Sequence, residues 1–115
     1  LEYKRKNYNE AIQLLQKAEY RDLLNNLIAK TLLLKIYFEM KEFSLLESHL
    51  DTMKIFIRRK KVIGYHQTNY QNIIRFTKKI LNTNLFDKEK KNKLREEIVG
   101  EEVLLERDWL LEQLG

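Results

Sequence analysis

FSLLESHLDTM, residues 43–53, decides the fold class once its apolar positions are read as one face. Leu46, Leu50 and Met53 stand four and three residues apart, and Ile57 extends the row by four more. That spacing lines side chains along a single stripe of an α-helix. Ser44 and Glu47 form an S-x-x-E pattern, which predicts a capping box and a helix start near Phe43. Arg58, Arg59, Lys60 and Lys61 close the helix, where cations complement the negative end of its dipole. Upstream, YNEAIQLLQKA (residues 8–18) repeats the arrangement. Tyr8, Ala11, Leu15 and Ala18 match Phe43, Leu46, Leu50 and Met53, each pair offset by 35 residues. A fixed period of this size is the mark of stacked structural repeats.

Working outward, residues 8–19 read as a first helix. The next run, Leu23, Leu24, Leu27, Ile28, Thr31, Leu32, Leu34 and Phe38, is apolar around much of its circumference. A helix of that kind is covered on more than one side, and it should end near Met40. Beyond residue 61 a short connection contains Gly64, followed by a helix carrying Tyr70, Ile73, Ile74, Thr77, Ile80 and Leu81. Residues 82–86 read as a loop, and Asp87 as the N-cap of a helix through Leu94, Ile98 and Val99, loosened at Gly100. Residues 104–114 form a last amphipathic piece with the sole Trp, Trp109. With no Pro and three Gly, few positions break helices. Short connections make successive helices antiparallel neighbours, so the expected fold is all-α, a single domain over residues 1–115.

The repeat resembles the tetratricopeptide (TPR) family, whose period is about 34 residues. YNEAIQLLQKAEY looks like the second helix of such a repeat. Leu33 and Tyr37 stand where the first helix of the next repeat has a Leu and an aromatic residue. The resemblance covers residues 8–58. It implies antiparallel hairpins stacked as a right-handed TPR-like α-solenoid of five to six helices. Three departures matter: Leu34 and Leu46 occupy places where the family has small residues, no Pro follows the second helix, and a third unit falls out of register. The two leucines are expected to push the paired helices apart. Residues 32–81 and the ending RDWLLEQL also resemble the C-terminal region of large uncharacterised repeat proteins of Bacteroidota, which implies no known activity.

The inventory for catalysis is thin. There is no Cys, and the two histidines, His49 and His66, have no His, Cys or carboxylate at i±4 with which to share a metal. Glu47 points to a different face of the helix from His49. Glu96/Glu97 and Glu101/Glu102 lie beside Lys and Arg on one helix, the pattern of a solvated face. No glycine-rich phosphate loop occurs. The expectation is a protein without catalysis, cofactor or metal. No apolar run approaches the ~18–20 residues that span a bilayer, so no membrane contact is expected. The start, LEYKRKNYNE, has neither Met nor an apolar signal core. It reads as a piece of a longer cytoplasmic protein, of which this would be the C-terminal capping part.

Charge is unevenly placed. Residues 1–53 carry eight basic and eight acidic side chains, residues 54–93 twelve and two, and residues 94–115 two and seven. Residues 52–86 contain no acid, where the chain average would place about five. In antiparallel order, residues 58–61 should face Glu97, Glu101 and Glu102, a neutralised pole. Lys78 and Lys79 should meet Lys88, Lys90, Lys91 and Lys93 at the other end, a basic pole. Lysines in a first helical turn oppose the macrodipole, so this second pole is the harder one to explain by helix electrostatics.

Two functions from different classes follow. The first is a protein–protein scaffold, with an open apolar face formed by Leu14, Leu15, Ala18, Leu23 and Leu27. Upstream repeats of the same chain, another protein, or a second copy of the fragment as a homodimer would cover that face. Trp109 would cap the solenoid or anchor an interface. The alternative is a polyanion or nucleic-acid contact through Lys78, Lys79, Lys88, Lys90 and Lys91. Of the two, a protein partner is favoured over nucleic acid.

Overall fold

Apolar rows with a period near 3.6 and almost no helix breakers produce helices separated by short turns. The computed structural model describes residues 8–10, 12, 23–60, 62 and 64–115. Tyr8, Asn9, Glu10 and Ile12 are helical. The rest of the helix expected over residues 8–19, with Ala11, Leu14, Leu15 and Ala18, lies outside the described residues. Five helices follow: α1 (Leu23–Glu39), α2 (Phe43–Arg59), α3 (Gly64–Asn82), α4 (Lys88–Gly100) and α5 (Arg107–Leu114). The described residues contain no strand. Two compact units divide the chain, residues 1–56 and 57–115.

In the first unit α1 and α2 form an antiparallel hairpin. The Lys30 ammonium sits 4.8 Å from the centre of the Phe56 ring, the Tyr37 and His49 rings meet edge to face, and so do Phe38 and Phe43. These pairs descend along α1 as they ascend along α2. Leu27, Ala29, Thr31, Leu33, Leu34, Ile36 and Tyr37 are buried around most of the circumference of α1, as its apolar content predicts. On α2 the row Leu46, Leu50 and Met53 has no exposed surface, and Ile57 is buried as well.

The turn between these helices departs from the capping box. Glu42 donates its N–H to the Tyr37 carbonyl at 3.0 Å and Lys41 to the Phe38 carbonyl at 3.1 Å. This is a Schellman closure of α1, with Lys41 at φ 61°. The chain turns upward immediately, so α2 begins at Phe43 and the Glu42 carbonyl accepts from Leu46 N. Ser44 therefore lies inside the helix and not at its N-cap. A lysine in the left-handed region is strained by about 1–2 kcal/mol against glycine. Lys41→Gly is expected to raise stability by about 1 kcal/mol, part of the relief being lost to the freer unfolded chain. Thermal unfolding followed by far-UV circular dichroism checks this; an unchanged or lowered midpoint would contradict it.

In the second unit α3 supplies the long axis. Tyr70, Ile73, Ile74, Phe76, Thr77 and Ile80 are buried along it. Asp87 caps α4, its carboxylate accepting from Glu89 N at 3.1 Å and Lys90 N at 3.2 Å, as the sequence predicts. Leu94 and Ile98 are buried, but Val99 is exposed. Gly100 is the last helical residue of α4. Residues 101–106 are not helical, so the last helix starts at Arg107 and not at Leu104. This short segment runs back along α3: Asn72 Nδ2 donates to the Val103 carbonyl at 2.9 Å, and Leu105 N donates to Asn69 Oδ1 at 2.8 Å. Leu104 tucks its side chain into the core. Arg107 then donates from Nε to the Ile98 carbonyl at 3.2 Å and from Nη2 to the Glu101 carbonyl, satisfying the open end of α4. Helix α5 packs on both α3 and α4. Trp109, Leu110 and Leu114 are its buried face.

Candidate functional site

An open recess of about 300 Å³ lies where α3 ends and α4 begins. Lys79, Asn82, Thr83 and Asn84 line it from α3 and the turn, and Lys90, Lys93, Leu94 and Glu97 from α4. Helical spacing explains the α4 set. Positions 90, 93, 94 and 97 share one stripe at i, i+3, i+4 and i+7. Thr83 returns its hydroxyl to the Lys79 carbonyl at 2.6 Å, tying the last turn of α3. Asn84 Oδ1 accepts from Phe86 N at 3.0 Å, a local turn that fixes the loop before the Asp87 cap.

The electrostatics are mixed but net positive. Lys79 Nζ pairs with Glu97 Oε2 at 3.1 Å, both side chains being about 40% exposed. An ion pair this open contributes well under about 1 kcal/mol. Lys90 and Lys93 are exposed and make no ion pair among the described residues. Two N–H groups of the first turn of α4, those of Glu89 and Lys90, are occupied by the Asp87 carboxylate. An anion in the recess would therefore meet ammonium groups and amides, and not a backbone cradle.

The lysines expected at this pole are only partly together. Lys79 and Lys90 line the recess, joined by Lys93. Lys78 and Lys88 are not among its lining residues. Lys91 belongs to a different face. Its Nζ lies 3.5 Å from where a Cβ on Gly115 would stand, and Arg95 donates to the Gly115 carbonyl at 2.7 Å. These two cations serve the C-terminal end of α5. The acids assigned to the opposite pole are engaged by α3 instead: Glu97 by Lys79, and Glu101 by Arg75 at 3.0 Å. The antiparallel order is as expected, but α3 itself contributes the basic partners, one turn apart, ahead of residues 58–61.

Elsewhere, His49 is half-buried and donates from Nε2 to the Lys30 carbonyl at 2.6 Å. Burial, offset in part by that bond and reinforced by the nearby Lys30 charge, holds its pKa below the ordinary value. Leu27 is fully buried and Leu23 half-buried, so Leu27 offers no surface to a partner. Trp109 is buried within the second unit. Two features escaped sequence reasoning. One is Phe86 in the loop, which is 97% exposed. The other is the pair of buried amides, Asn69 and Asn72, whose spacing of three on the apolar face of α3 was a readable sign of a backbone partner.

Among the described residues no helix is long and apolar enough to cross a membrane, and no three His, Cys, Asp or Glu side chains group as metal ligands. Compared with known proteins, the chain matches no protein family, no curated protein and no solved structure.

Proposed function

We propose that the chain is a non-catalytic protein–protein interaction module, a stretch of right-handed TPR-like α-solenoid that scaffolds other proteins. The observation that carries this reading is apolar surface left open in the first unit. Leu45 is 51% exposed and Ile55 40%, on the same helix whose Leu46, Leu50 and Met53 have no exposed surface. Phe43 and, on α1, Ile28 are also exposed. Single exposed apolar residues are ordinary, and Leu45 and Ile55 stand about 15 Å apart along α2 on sides about 80° apart. The support they give lies in there being several on one hairpin, not in one continuous patch. The 35-residue offset between the two matching apolar rows and the antiparallel pairing of α1 with α2 support a repeat architecture, in which faces of this kind stack on neighbouring repeats or receive a partner.

A photo-crosslinking amino acid in place of Leu45, introduced in the native cell, tests this reading. Discrete protein adducts are expected, and Ile55→Glu in the same chain should abolish them while leaving the circular-dichroism melt unchanged. An adduct with a second copy of the chain would name the chain itself as partner. No adduct, or adducts indifferent to Ile55→Glu, would overturn the proposal.

A further inference from the structure

We propose that the recess at the α3–α4 turn binds single-stranded nucleic acid, with phosphates on Lys79, Lys90 and Lys93 and a base on Phe86. Three features converge there. Three lysines face one carboxylate around an open cavity of about 300 Å³, at the small end of the range for ligand pockets. Two residues past Asn84, which lines the cavity, the same turn carries Phe86, 97% exposed and outside the lining itself. Its backbone is held by the Asn84 turn on one side and the Asp87 cap on the other. The ring is thus presented to solvent by an ordered loop, the arrangement a stacking base requires.

The chemistry selects a polymer over a lone phosphate. Asp87 already occupies the N–H groups of Glu89 and Lys90. That leaves the Lys88 N–H as the one first-turn donor without an acceptor among the described residues, too little backbone for a cradle that holds one anion tightly. What remains is a set of separated point charges, which a phosphate backbone engages in series by releasing counterions. The same chemistry selects nucleic acid over an acidic peptide. Leu94 is the one apolar side chain lining the cavity, and it is only 5% exposed. Within the cavity a peptide would find no open apolar surface, and beside it only the single Phe86 ring. A base needs only one ring face, and its polar edges can meet the amides of Asn82 and Asn84. The absence of acids across residues 52–86 keeps repulsion low on the α3 side. Glu97 opposes binding, because it competes with phosphate for Lys79.

Fluorescence anisotropy with a labelled, mixed-sequence single-stranded oligonucleotide tests the proposal at about 50 and about 200 mM salt, a range over which phosphate binding weakens steeply. Binding is expected to weaken with salt, and Lys90→Gln with Lys93→Gln should lower the logarithmic slope by about 1.4, roughly 0.7 for each phosphate left without its lysine. Phe86→Ala should weaken binding about tenfold without changing the slope, the signature of a missing stacking platform. Glu97→Gln should tighten it by freeing Lys79. Because these side chains are exposed, the variants keep the parent fold, which thermal melts verify. No binding at the lower salt, indifference to Phe86→Ala, or equal competition by poly-glutamate or by duplex of the same length would overturn the proposal.

Discussion

Phe76→Ala is expected to cost the second unit about 3–5 kcal/mol, the range for truncating a buried aromatic ring. Phe76 is 1% exposed and sits among Ile73, Thr77 and Ile80, all of them buried. Arg75 covers its face, with the guanidinium carbon 4.2 Å from the ring centre. The cost lies at the high end when a site cannot collapse around the cavity, and this one is held open. Helix α3 is tied to the returning chain at four levels, by Lys79 to Glu97, Arg75 to Glu101, Asn72 to Val103 and Asn69 to Leu105. The two amide ties carry most of that restraint, since the ion pairs are exposed and individually weak. A unit of about 60 residues has on the order of 3–9 kcal/mol in hand, so the loss approaches the whole. The sole Trp, Trp109, is buried in the same unit, and its emission reports that unit's unfolding in denaturant. Phe76→Leu, which keeps most of the volume, should remain folded and lose only about 1–1.5 kcal/mol. An alanine variant that loses less than about 1 kcal/mol would show that the ring is not the centre of this core.

The parts of the fold legible in the sequence are those where one local rule acts alone. The row Leu46, Leu50, Met53 and Ile57 is readable because helical spacing is the only periodicity it fits. Asp87 is readable because a short acceptor before a polar helix has one favourable use. At Ser44 two rules compete: its S-x-x-E pattern predicts a cap, but the Schellman closure at Lys41 starts α2 earlier. Residues 101–106 are legible only in part. Gly100 marks where α4 ends, but Leu104, Leu105 and Glu106 contain nothing that forbids a helix. What distinguishes them is tertiary: the segment's hydrogen bonds to Asn69 and Asn72 of α3. At the recess, antiparallel order brings Lys79 and Lys90 together as expected. Lys91 does not join them, and the helical wheel already separates it, since positions 90, 93 and 97 share a stripe and 91 and 95 another. Phe86 is not readable at all, because the exposure of a loop aromatic is a property of the folded turn.

The Asn69 clasp leads to the second large effect. Asn69→Ala is expected to destabilise the second unit by about 1–2 kcal/mol, the cost of leaving a partly buried N–H without its acceptor. Asn69 is 1% exposed, and its Oδ1 takes the Leu105 amide hydrogen while its own Nδ2 finds no partner among the described residues. That orphaned donor limits what the residue is worth. Asn69→Leu, which removes the unpaired donor and refills the volume, should therefore cost less than Asn69→Ala. Amide exchange separates the clasp from general packing. In the parent the Leu105 amide should be protected, and Asn69→Ala should make it exchange at least tenfold faster than the Leu110 amide, which bonds to the Glu106 carbonyl within the first turn of α5. Asn72→Ala removes the neighbouring bond to Val103. Because the two amides hold the same segment, the double substitution should cost less than the sum of the singles. Strict additivity, or a Leu105 amide that stays slow in Asn69→Ala, would mean that Leu104 and Arg107 alone hold the segment, and that the buried amides follow its path and do not set it.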